Sequence, residues 1–203
     1  MMDQDNFCQG IVYLKEYCEV FSGLYKRFGR LDYTCRDLDF NAFLRTIVNQ
    51  QLSGKAANTI LTRVYTLLEK HGGVSEKAFL MASDSSLRDC GISFAKIRYI
   101  NGIAESIVDK SLVIDELKGI SDEELLKKLI DIRGIGEWSA QILMLFYLGR
   151  LSVFPKGDVS LEKAFIDLVK EPVEQIPNSI KKWNPYAGVI AVYFWHHIDN
   201  PSF

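Results

Sequence analysis

This 203-residue chain has no long apolar run, no closely spaced cysteine pair, no surplus of positive charge and no stretch of strand-like alternation. An unbroken apolar segment such as Ile142 to Leu148 falls far short of the roughly 20 residues that a bilayer span needs. The opening MMDQD is acidic and lacks the basic region of a secretory signal. The expectation is therefore a cytoplasmic protein that does not engage a membrane. Cys8, Cys18, Cys35 and Cys90 are scattered, with no histidine at metal-ligand spacing, which excludes a zinc ribbon and points to reduced, structural thiols. A net charge of -2 and a pI near 6.0 lack the basic excess common in nucleic-acid-binding domains, so composition argues mildly against such a partner.

The apolar positions recur at helical spacing almost throughout, which predicts an all-α protein. With 48% apolar residues the chain can bury a core, as one large domain or two small interlocked ones. A first helix is predicted over roughly Phe7 to Phe21, and a second from Asp39 to the segment NQQLSGK. Ser53 is placed to cap a third that ends at His71, Gly72 and Gly73. Short helices follow near 75–81 and 83–89, then a longer one from Ser93 to Asp109. Ser121 and Glu124 form a capping box for the next. Another helix runs from Glu137 to Leu148, RLSVFPKG is a loop, and Asp158 opens a further helix. Asn184 as cap with Pro185 at the first helical position begins the last.

Between two of these helices stands IRGIGEW, with Gly134 and Gly136 one residue apart and Trp138 just after. A dinucleotide fingerprint needs a strand before it, and the preceding ELLKKLIDI has helical spacing. What remains is a helix, a tight hairpin and a second helix. Glycine there permits a positive φ and close approach of another molecule. The amides of such a turn and of the following helix's first turn can hold a phosphate oxygen without side-chain charge. Standing alone, the same turn is more commonly a structural joint between core helices.

The surroundings change that weighting. LIDIRGIGEWSAQILM followed by VFPKGDVSLEKAF resembles the signature of the helix-hairpin-helix DNA glycosylases, with its Gly/Pro-rich loop and aspartate. IVNQQLSGKAA and WNPYAGVIAVYFW resemble a helix with a wedge loop and the final helix of the alkylation-repair branch, DNA-3-methyladenine glycosylase II. Together they cover most of the chain from about Asp39 to Trp195. The resemblance implies two helical subdomains with an active-site cleft between them. Residues 40–150 would form a six-helix-type bundle with the hairpin, and residues 1–39 plus 151–203 the second lobe.

It also implies roles. Asp158 takes the position of the family's catalytic acid, a role compatible with capping a helix. A negative charge is favoured at a helix N-terminus and suits an oxocarbenium-like transition state; whether Asp158 also takes a proton from water stays open. Relatives that also cut the strand carry a nucleophilic lysine where this chain has Trp138, so a monofunctional enzyme without lyase activity is implied. Trp138, Trp195 and Gln50 would line the base pocket, where electron-rich rings attract a cationic alkylated base by roughly 0.5 to 2 kcal/mol. Everting the nucleotide costs a few kcal/mol, least for a damaged or mispaired base. Gln51 or Leu52 would fill the gap as wedge, with Gln50 bracing that loop or facing the pocket. Arg133, Gly134, Gly136, Ser139, Lys156 and Lys163, with Lys96 or Arg98, would contact the DNA backbone.

By the same resemblance a monovalent cation, sodium or potassium, would sit on the backbone carbonyls of Ile130, Ile132 and Ile135. The cysteine spacing implies no iron-sulfur cluster, and no cofactor is otherwise required. Ile142 and Ala187 stand where the branch usually has an aromatic and an arginine, which leaves pocket shape and substrate range open. The expected partner is duplex DNA bearing damaged bases, and the expected state is a monomer, near the nucleoid in a bacterium. The implied reaction is hydrolysis of the N-glycosidic bond of alkylated purines such as 3-methyladenine and 7-methylguanine. Its rivals are a glycosylase for oxidised or deaminated bases and a non-catalytic module that binds damaged DNA.

Overall fold

A computed structural model describes residues 2–201. The helices are α1 (Met2–Tyr17), α2 (Glu19–Phe28), α3 (Phe40–Asn49), α4 (Gly54–Glu69), α5 (Glu76–Met81), α6 (Asp84–Asp89), α7 (Phe94–Val108), α8 (Asp122–Asp131), α9 (Glu137–Leu148), α10 (Val159–Val169), α11 (Ile176–Trp183) and α12 (Ala187–Asp199). Among the described residues there is no strand. None of these helices is long and apolar enough to cross a membrane. The chain divides into two compact units, one of Asp37–Leu143 and one of residues 1–36 with 144–203. The division falls inside α9, not at its end.

The middle unit is organised by α7, which packs against α3, α5 and α6. Its buried positions Ile97, Ile100, Ile103 and Ala104 follow helical spacing and so present one apolar stripe to those neighbours. Every helix start read from a serine or aspartate here is a side-chain cap: Asp39, Ser53, Ser75, Ser83, Ser93 and Ser121 each accept an amide three residues on. Such a cap meets one of the amides that a helix start leaves without an internal partner.

In the terminal unit, α12 is buried on nearly all sides, through Val189, Ile190, Ala191, Tyr193 and Phe194. It packs against α1, α2, α10 and α11. Tyr33 stacks on Phe7 with ring centroids 4.7 Å apart and donates its hydroxyl to the Leu145 carbonyl. Two expectations need correction here. The first predicted helix is two, because Cys18 is extended (φ -135, ψ 104) and caps α2. Phe7, Leu14, Phe21 and Leu24 enter one core, so the apolar period runs across the break and hides it. The last helix starts at Ala187 with Tyr186 as N-cap. Asn184 instead closes α11, which the sequence reading did not include, by donating its amide to Ile180, and the Asn184–Pro185 peptide is cis.

The loop before α10 is anchored from both ends. The Gly188 amide donates to the Leu151 carbonyl at 2.7 Å, and Phe154 packs on Trp183 and Phe194. Burial pushes the Cys18 and Cys90 thiols above the ordinary cysteine pKa. A Cβ on Gly188 would lie 2.6 Å from Leu145 Cδ1 and 2.9 Å from the Val153 carbonyl oxygen. Gly188→Ala is therefore expected to lower unfolding free energy by about 1–3 kcal/mol through overpacking. A drop in the urea midpoint would show it.

Candidate active site and hairpin

The hairpin lies in the middle unit. After α8, Ile132 turns out of the helix (φ -72, ψ 119), and the Ile135 amide closes the turn on the Ile132 carbonyl at 3.0 Å. Gly134 has φ +95, a conformation that side chains with a Cβ rarely adopt. A Cβ there would also stand 2.5 Å from the Tyr99 ring. Gly136 differs, since nothing lies within 4 Å of its would-be Cβ. Its carbonyl accepts the Ala140 amide at 2.9 Å, so α9 begins directly behind it. Amides ahead of Ala140 have no acceptor within the helix itself.

Gln50 and Ser139 serve the hairpin's own bracing. Gln50 Nε2 donates to the Gly134 carbonyl and to Ser139 Oγ, each at 2.9 Å, and Ser139 is only 3% exposed. The Ser139 hydroxyl is thus taken up by the hairpin's own bracing. Lys96 is likewise engaged internally, donating to the Val48 and Gln50 carbonyls. Arg98, Arg133, Gln51 and Leu52 are exposed, and Trp138 is half-buried. Gln51 has a left-handed backbone, φ 57. The Ile132 carbonyl accepts one amide and keeps a second lone pair.

Asp158 lies in the terminal unit. Its Oδ1 accepts the Leu161 amide at 3.0 Å and the Trp195 indole N–H at 3.3 Å, while its main-chain carbonyl accepts the Glu162 amide. The carboxylate therefore sits on the N-terminus of α10, where the helix dipole favours negative charge. Trp195 holds it from α12, and Phe146 lies 5.6 Å from the Trp195 ring. Phe146 was not singled out from the sequence. It stands one turn beyond Ile142 on α9. Lys156 and Lys163, on either side of Asp158, are exposed.

Both units have cavities, and two of them bear on these residues. One of about 480 Å³ in the terminal unit is lined by Arg30, Asp32, Phe146, Val192, Trp195 and His196, among others. The larger, about 870 Å³ in the middle unit, includes Arg98, Glu105, Lys128, Asp131 and Arg133. Both linings mix charges of the two signs. Trp195 links the smaller one directly to Asp158, and that link outweighs size.

A hairpin between helices, an exposed loop bonded to it and a capped aspartate with an indole donor are the parts that the sequence motifs pointed to. Residues 44–184 match the HhH-GPD superfamily base excision DNA repair proteins. The chain belongs to this superfamily. YfjP of Bacillus subtilis is 32% identical over 178 residues, 83% of this chain and 61% of that protein; the chain thus spans less than two thirds of that relative. The crystal structure of a DNA-3-methyladenine glycosidase from Bacillus halodurans matches with TM-score 0.77 and 31% identity, over 95% of this chain and 88% of that one. Mag1, a 3-methyladenine DNA glycosylase of Schizosaccharomyces pombe solved with abasic DNA, shares the fold with TM-score 0.85 at 24% identity, over 96% and 98% of the two chains.

The two hairpin glycines separate experimentally. Gly134→Ala must move the Tyr99 ring and hold a positive φ, and is expected to lose about 1–3 kcal/mol of stability. Gly136→Ala should stay within about 0.5 kcal/mol of the parent protein. Equal shifts of the two in thermal unfolding would contradict this account of the turn.

Proposed function

We propose that this HhH-GPD protein is a monofunctional DNA glycosylase that hydrolyses the N-glycosidic bond of alkylated purines in duplex DNA. The observation that carries the reading is the Asp158 carboxylate at the start of α10, held at Oδ1 by the indole of Trp195. A fixed negative charge beside an aromatic wall suits a deoxyribose developing positive charge as its base departs. An alkylated purine is cationic and already a good leaving group, so electrostatic stabilisation and stacking do most of what is needed. The cavity lined by Trp195 and Phe146 would take the everted base.

The likeness to a DNA-3-methyladenine glycosidase at 31% identity supports the substrate class. Trp138, in place of a nucleophilic lysine, supports hydrolysis without Schiff-base chemistry, and the product is an abasic site. Main-chain amides of the hairpin, with Arg133, Lys156 and Lys163, hold the DNA backbone, while Gln51 and Leu52 enter the duplex. The carbonyls of Ile130, Ile132 and Ile135 would hold a monovalent cation that rigidifies the turn, since carbonyls at the end of α8 lack intrahelical partners and that of Ile132 keeps a lone pair beside the Ile135 amide. The protein acts as a monomer.

The test is incubation of the purified protein with methylated DNA, chromatography of freed bases and gel analysis before and after alkali. Released 7-methylguanine or 3-methyladenine with strand breaks only after alkali is expected, and breaks before alkali would reject the monofunctional scheme. Asp158→Asn removes the charge and is expected to slow release by at least about a hundredfold, with binding to abasic DNA retained. Unchanged release would remove Asp158 from the chemistry. Trp195→Phe keeps a ring but loses the donor, and is expected to cost about tenfold, as for one hydrogen bond to a charged group.

A further inference from the structure

The exposed loop after α3 and the hairpin are fastened to each other and to one helix. Lys96 Nζ donates to the Val48 carbonyl at 3.0 Å and the Gln50 carbonyl at 2.8 Å, meeting carbonyls that the end of α3 leaves without helical partners. From the same residue that Lys96 holds by its main chain, the Gln50 side chain reaches the Gly134 carbonyl and Ser139 Oγ. One turn along α7 from Lys96, the Tyr99 ring fills the space beside Gly134. Beyond Gln50, the Leu52 amide donates to Asn49, Ser53 caps α4, and the Leu52 side chain is left 40% exposed. Burial pushes the Lys96 ammonium below the ordinary lysine pKa, and it is directed at main chain and not outward.

We propose that Lys96 and Gln50 are positioning residues that make the 50–53 loop and the hairpin a single rigid piece, fixing where Leu52 stands once the hairpin has gripped duplex DNA. The inference rests on the glycosylase reading and adds to it a pair of groups that touch neither base nor sugar. A wedge that moves freely against its grip spends insertion energy on ordering itself; one already fixed applies it to opening the base pair. The benefit therefore falls on eversion of a paired nucleotide and vanishes where the nucleotide is already unpaired.

Two duplexes test this, one with 7-methylguanine opposite cytosine and one with the same lesion opposite an abasic position, each assayed by single-turnover base release. For Lys96→Met and Gln50→Met, release is expected to fall by about tenfold on the paired lesion and by less than about threefold on the unpaired one, the size of losing hydrogen bonds that order a loop. Lys96→Arg, which keeps donors, should restore most of the paired rate. Both rates are read on one preparation, so their ratio does not depend on the fraction folded. Wild-type release with the paired-to-unpaired ratio unchanged in both methionine variants overturns the inference alone. A wild type that frees base from neither duplex overturns the glycosylase reading beneath it.

Discussion

The middle unit depends on a side chain that is not there. Because residue 134 is glycine, the Tyr99 ring occupies the volume a Cβ would need, and α7 comes directly against the turn between α8 and α9. That approach lets the Gln50 amide reach the Gly134 carbonyl, and it places the start of α9 behind Gly136. A larger residue at 134 would push the turn off α7 and disturb both. Gly136 has open space around it, so of the doubled glycine only Gly134 is fixed by packing and φ.

The chemical role proposed for Asp158 asks for no departure from its structural one. Capping uses Oδ1 toward the Leu161 amide, and the same oxygen receives the Trp195 indole. Both contacts fix the position of one carboxylate oxygen. The anchoring of the preceding loop through Gly188 and Phe154 sets where α10 begins, and so where that charge stands.

Helix starts were legible because a serine or aspartate cap is a local signal: the amide it satisfies is only three residues away. The break at Cys18 was not, since both flanking helices feed one core and the apolar period continues through it. Helix α11 was hidden in the largely polar stretch 174–183, where only Ile176, Ser179 and Trp183 are fully buried and Ile180 is partly so. Asp158, Trp195 and the hairpin were legible as a motif. The engagements of Lys96, Ser139 and Phe146 were not, because each depends on a partner far along the chain. A lysine in sequence carries no mark of whether its ammonium faces a phosphate or the carbonyls of a neighbouring helix.

The two shielded cysteines acquire a meaning from the proposed substrate. A thiolate is the form that reacts with electrophiles, and burial shifts the Cys18 and Cys90 thiols further toward the protonated form. A repair protein working on methylated purines meets the reagent that methylated them. At those two sulfurs, the packing that stabilises the chain also lowers the share of reactive thiolate, which would suit a protein that handles the damage such a reagent leaves.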